Sequence, residues 1–176
     1  MTTLSKKQIL QYLEELSAAM ERQNLKGEIL LFGGAAMVLA FNARPSTRDV
    51  DAIFRPKKEI YAISKEIAGK HHLAEGWLND SVKGFIMSDS FKQNLFIRYN
   101  NLSVYTPEPQ YLLAMKCISM RIGVESSDID DIKTLLKYLK IKKAEDAFRL
   151  IEKYYPQNKI PQKTFYVMDE ILKNLI

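Results

Sequence analysis

Glu28 to Phe32 is a short apolar run that stops at a glycine pair, Gly33-Gly34, and an apolar helix-forming stretch, Ala35 to Ala40, begins directly behind it. No other part of the chain constrains the fold as much. The run reads as a strand and Ala35, Ala36, Met37, Val38, Leu39 and Ala40 as a short buried helix, so the chain must turn between them at the glycines. Glycine lets the backbone approach a ligand closely, and a helix start presents free N–H groups at the positive end of its dipole. Together they favour a phosphate.

Fourteen residues separate Gly34 from Asp49, and the chain continues Asp49-Val50-Asp51-Ala52-Ile53-Phe54. A strand over Val50 to Phe54 points both carboxylates to one face and Val50 and Ala52 to the other. Two parallel carboxylates at a strand start suit Mg2+ or Mn2+, which take oxygen ligands and bridge to substrate phosphates.

The ordered set Gly33-Gly34 and then Thr47-Arg48-Asp49-Val50-Asp51 resembles the DNA polymerase beta type nucleotidyltransferase superfamily. Within it the chain looks most like the minimal bacterial nucleotidyltransferases of the DUF6036 and AbiEii toxin kind. The likeness extends to Trp77-Leu78-Asn79-Asp80 and to the segment from Lys116 to Asp131, and covers roughly residues 28 to 139. It implies transfer of a nucleoside monophosphate from an NTP to an acceptor hydroxyl. Asp49 and Asp51 would hold the metal, and Asp49, Asp51, Lys116 and Asp131 form the implied catalytic set. Gly33, Gly34, Arg44, Thr47, Arg48 and Asp128 are the implied nucleotide-binding residues. The partners implied are an NTP, an RNA or tRNA acceptor and a cognate antitoxin protein. Polymerase-like members carry a third carboxylate on a later strand; Asn94 to Asn100 offers none, and Asp89 lies in an apparent turn.

The fold expected is α/β (α+β): a small mixed sheet of four or five strands flanked by helices, with a helical C-terminal part. The division expected is a nucleotidyltransferase-like domain over 1–139 and a helical extension over 140–176. Ser5 to Arg22 reads as a helix opened by the capping pattern Ser5-x-x-Gln8, with Ile9, Tyr12, Leu13, Leu16 and Met20 on one stripe. Pro56 leads into a helix over Lys57 to Lys70 with Ile60, Ile63 and Ile67 inward. His71 and His72 read as its surface C-terminal turn rather than as metal ligands, since adjacent side chains point apart. Trp77 to Asp80 reads as a loop in which Trp77 anchors packing. Asn94 to Asn100 and Leu102 to Tyr105 read as strands.

Thr106-Pro107-Glu108-Pro109 signals a helix start, and Tyr111 to Arg121 is apolar almost all round except for Lys116. A helix apolar on every side is buried, so this ammonium must snorkel, meet a carboxylate or meet a ligand phosphate. In the family resembled, a lysine at this place faces the active site. Asp128, Asp130 and Asp131 open the next helix, where acids suit the dipole and Asp128 is a natural cap; Asp128 and Asp131 also share a face from which to pair with Lys116 or Arg121. Two closing helices are expected over Ala144 to Tyr155 and Pro161 to Ile176, the second striped by Phe165, Met168, Ile171, Leu172 and Leu175.

The formal charge is +5, and Lys133 to Ile176 alone holds ten Lys or Arg against five Asp or Glu. The basic excess therefore lies in the C-terminal third. A solvated lysine-rich helix face is the plainer account and a nucleic-acid contact the functional one. The single cysteine, Cys117, excludes an internal disulfide and a cysteine-based zinc cluster. With no apolar run of about 18 residues and no export signal, no membrane partner is expected and the location expected is cytoplasmic. Against the enzyme stand two alternatives: a degenerate module that binds nucleotide or RNA without chemistry, and the partner half of a toxin–antitoxin pair. A purely structural domain would leave the paired aspartates at the glycine turn unexplained.

Overall fold

The computed structural model describes residues 3–87, 90–121 and 127–175. The chain divides into two compact units, one of Met1–Lys83 with Gln93–Pro107, the other of Gly84–Lys92 with Glu108–Ile176.

The first unit is built on a five-stranded mixed sheet. Its strands are β2 (Gly27–Leu31), β4 (Val50–Arg55), β5 (Leu78–Asn79), β6 (Gln93–Arg98) and β7 (Leu102–Pro107), in the order β5-β4-β2-β7-β6. β2 runs antiparallel to β4 and parallel to β7, while β5 joins β4 in parallel. A separate ribbon pairs β1 (Leu4–Ser5) with β3 (Ser46–Thr47). The helices are α1 (Lys6–Arg22), α2 (Gly33–Ala40) and α3 (Lys57–His71). α1 forms where expected because Ser5 accepts from the Gln8 N–H while the Gln8 side chain returns to the Ser5 N–H, which satisfies two end donors. α3 follows Pro56, which caps it from outside, and closes at His72 in the left-handed region (φ 55).

Alternation along β4 decides which face is which. Val50, Ala52 and Phe54 are buried, and together with Ile29, Leu31, Leu102 and Val104 they meet the apolar stripes of α1 and α3. Asp51 and Ile53 take the other face, half-buried. The main apolar cluster thus lies on one side of the sheet, and Asp51 lies on the other with Ile53 and its buried partner Leu30. Trp77 is 1% exposed, meets Tyr12 edge-on at 5.4 Å and donates its indole N–H to the Ser64 carbonyl at 2.9 Å, so it anchors packing as its size suggests. Leu78–Asn79, read from sequence as loop, is instead strand β5. Two residues are too few to show a period, and only the neighbouring β4 makes them a strand.

The second unit contains α4 (Pro109–Ser119), α5 (Asp128–Tyr138), α6 (Ala144–Glu152) and α7 (Gln162–Leu175). Its interior holds Tyr111, Leu113, Cys117, Ile132, Leu135, Leu136, Ile151 and Met168. Phe91 stacks on Tyr111 with centroids 3.9 Å apart, and the Tyr155 hydroxyl donates to the Phe85 carbonyl at 2.8 Å. α7 secures the end of α4: Lys163 Nζ donates to the Met120 carbonyl at 2.6 Å and Thr164 Oγ1 to the Cys117 carbonyl at 2.9 Å. Those carbonyls have no acceptor role left inside a helix that has ended, so side chains from elsewhere take them.

Candidate functional site

β2 ends at Leu31, Phe32 is extended, and Gly33 begins α2 with φ +51. That backbone angle lies in the left-handed region, where a side chain is strained. The Phe32 N–H donates to the Asp51 carbonyl at 2.8 Å, which docks the turn on β4. A Cβ on Gly33 would lie 2.7 Å from Asp51 Oδ2, and one on Gly34 would run into Arg44 Nη2 and Thr47 Oγ1. The missing side chains are therefore filled by functional groups: a carboxylate against the first glycine, a guanidinium and a hydroxyl against the second. α2 has no acidic residue in its first turn and no side-chain cap. Its N-terminal amides and the neighbouring Arg44 combine into one positive locus beside the Asp51 carboxylate.

Asp51 lies on β4 and Asp49 just before it, both half-buried. In the parallel register Asp51 stands opposite Asn79, and Asn79 Nδ2 donates to Asp49 Oδ2 at 3.4 Å. The site thus collects Gly33, Gly34, Arg44, Thr47, Asp49 and Asp51 in the first unit, with Arg48 exposed beside them. Among the described residues there is no group of three or more His, Cys, Asp or Glu placed to hold a metal. Two carboxylates alone are nevertheless a normal protein share for Mg2+, which completes its octahedron with water and substrate phosphates. The donor chemistry fits a metal that arrives with a nucleotide. Asp89, the one acid near the strand expected to carry a third carboxylate, lies outside the described residues.

Asp80, next to Asn79, is held by three neighbours: Lys57 Nζ at 2.7 Å, Lys83 Nζ at 2.8 Å and the Tyr61 hydroxyl at 2.6 Å. Hydrogen bonds from Lys57, Lys83 and Tyr61 hold its carboxyl well below the usual carboxylate range. Asp80 serves as a hub that pins β5 and the following 3-10 turn (Ser81–Phe85) to α3. His71 is likewise engaged, its Nε2 3.0 Å from Glu15 Oε1 and its ring 4.7 Å from that of Tyr12, so it packs onto α1 rather than simply ending a surface turn.

Lys116, Asp128 and Asp131 lie together in the second unit. Lys116 Nζ is 2.8 Å from Asp128 Oδ1 and 2.7 Å from Asp131 Oδ2, all three side chains being nearly sealed from solvent. Asp128 Oδ2 also accepts the Arg121 N–H at 3.0 Å. Burial raises the Asp128 carboxyl's pKa, but attraction to and hydrogen bonding from Lys116 override it and hold the group ionised below its ordinary range. Asp128 does not cap α5 as expected: Ser127 occupies the cap position without a side-chain bond, because the Asp128 carboxylate is taken by Lys116 and Arg121.

Asn79 belongs to the Trp77–Asp80 segment that the family resemblance alone linked to the site, and no role was expected for it from its own chemistry. Its position two residues before Ser81, whose N–H it accepts at 3.0 Å, is the local turn signal that marks it. Neither a curated protein nor a solved structure matches the chain. The match to a family model over residues 7–158 shows that the chain belongs to DUF6036, described as a nucleotidyltransferase of unknown function.

Proposed function

We propose that this chain is a nucleotidyltransferase of the polymerase beta type and toxin-like branch, dependent on Mg2+ or Mn2+, that moves a nucleoside monophosphate from an NTP to an acceptor hydroxyl on RNA or tRNA. The observation that carries this reading is the Asp51 carboxylate seated against Gly33 at the start of α2. An anion-binding helix end and a metal-binding carboxylate share one turn there.

In this reading the α2 amides and Arg44 bind the triphosphate and offset the negative charge that grows during transfer. Asp49 and Asp51 would hold the cation, which when bound supplies Lewis acidity and neutralises phosphate charge. Thr47, packed on Gly34, keeps the turn closed and offers a hydroxyl to the ligand. The toxin-like branch adds a cognate antitoxin as the protein partner.

Incubation with each radiolabelled NTP, Mg2+ and total RNA, followed by mass spectrometry of RNA and protein, tests transfer and finds the acceptor. Asp49→Asn and Asp51→Asn are each expected to abolish metal-dependent NTP binding while leaving the fold intact, since a neutral amide is a poorer ligand than a carboxylate for a hard cation. Equal calorimetric binding by wild type and both variants would overturn the metal assignment. Binding without any transfer would place the chain with the non-catalytic modules.

A further inference from the structure

We infer that Asn79 is a positioning residue that acts through Asp49, so that β5 sets the geometry of the carboxylate pair. The inference rests on the reading that Asp49 and Asp51 hold a cation. Three observations support it. Asn79 stands opposite Asp51 in the β4–β5 register, so its side chain emerges on the carboxylate face of the sheet. Its Oδ1 accepts the Ser81 N–H at 3.0 Å, which assigns the amide orientation from the hydrogen-bond network and turns Nδ2 away from that donor. Nδ2 in turn lies 3.4 Å from Asp49 Oδ2, with a second acceptor, the Gly76 carbonyl, at 3.5 Å.

The need for such a residue follows from where Asp49 sits. Asp51 belongs to a strand paired on both sides, whereas Asp49 precedes the strand, and the ladder does not fix its side chain. A carboxylate that must meet a small cation demanding near-ideal octahedral geometry loses affinity if it rotates freely. A carboxamide donor suits the task because a third carboxylate at this spot would repel the other two. Asn79 itself is anchored: Leu78 is buried, Trp77 beside it is locked by its indole N–H, and Asp80 is tied by Lys57, Lys83 and Tyr61.

The test uses Asn79→Ser, in which a hydroxyl can still accept the Ser81 N–H and keep the turn but no longer reaches Asp49. Binding of Mn2+, alone and with each of the four NTPs, is followed by the paramagnetic resonance of the free ion. Asn79→Ser is expected to raise the Mn2+ Kd about tenfold or more with an unchanged melting temperature. NTP binding measured without any divalent cation is expected to be the same in Asn79→Ser and wild type, because the substitution acts through the carboxylate pair. An Asn79→Ser protein with wild-type Mn2+ affinity, or one whose cation-free NTP binding falls as much as its Mn2+ binding, overturns the inference and leaves the cation site standing. Absence of Mn2+ binding in the wild type overturns the cation site and the inference together.

Discussion

At the scale of single residues, the site depends on two positions that lack a side chain. Gly33 is left-handed and Gly34 is overlaid by Arg44 and Thr47. Gly33→Ala is expected to cost about 1 to 2 kcal/mol from the backbone alone. Its new Cβ also meets Asp51 Oδ2 at 2.7 Å, so Mn2+ affinity should fall along with stability. Gly34→Ala, whose backbone is unstrained, should act mainly by displacing Arg44 and Thr47 and so weaken the triphosphate more than the metal. Denaturant titration and separate Mn2+ and NTP titrations of the two variants check this division.

At the scale of elements, the join between α4 and α5 is an ion cluster rather than a purely apolar seam. Lys116 lies between two buried carboxylates, and Asp128 also meets the Arg121 N–H at 3.0 Å and the Arg121 Nε at 3.5 Å. Lys116→Met keeps the apolar volume but removes the buried cation that the two carboxylates share, and is expected to cost about 3 to 5 kcal/mol. Adding Asp128→Asn and Asp131→Asn should recover part of that loss, since neutral amides are cheaper to leave buried than unpaired charges. Thermal melts of the single and triple variants measure both. Unchanged NTP binding in the folded Lys116→Met protein would assign Lys116 to stability alone.

At the scale of the whole molecule, acidity and salt are the two conditions that reach many groups at once. Burial disfavours ionised Glu15, but hydrogen bonds from Lys70 and His71 bring its pKa from 4.5 down to about 2. A carboxyl whose folded value is depressed adds stability above its unfolded value and loses that contribution as pH falls through the folded one. Wild type should therefore weaken as pH drops from 4.5 to about 2. Glu15→Gln should be less stable than wild type at neutral pH, and the gap should close over that window in denaturant midpoints taken across pH. Salt probes the other charged surface: Lys137, Lys140, Lys142 and Lys143 are all exposed around the turn from α5 to α6. If the acceptor is RNA, changing these four to Glu should weaken RNA binding and flatten its salt slope while NTP binding stays as it was. Filter binding over a salt series reads this, and indifference to the four changes would mark the lysines as a solvated face. No helix among the described residues is long and apolar enough to cross a membrane.

What the sequence determined by itself was local. The strand, glycine turn and short helix from Gly27 to Ala40, the Val50–Arg55 strand with its alternating burial, and the capped stripe of α1 follow from period, backbone freedom and end chemistry. All of these act between residues a few positions apart. The tertiary structure alone decided the rest. Leu4–Ser5, Ser46–Thr47 and Leu78–Asn79 are strands only because partners far along the chain hydrogen-bond to them. Asn79 reaches Asp49 across thirty residues and Glu15 meets His71 across fifty-six. Such pairings carry no period that a sequence can display, because they depend on where whole elements come to rest after the core is packed. Lys116 had three physically acceptable fates from its sequence neighbours; the position of α5 against α4 selected the ion pair.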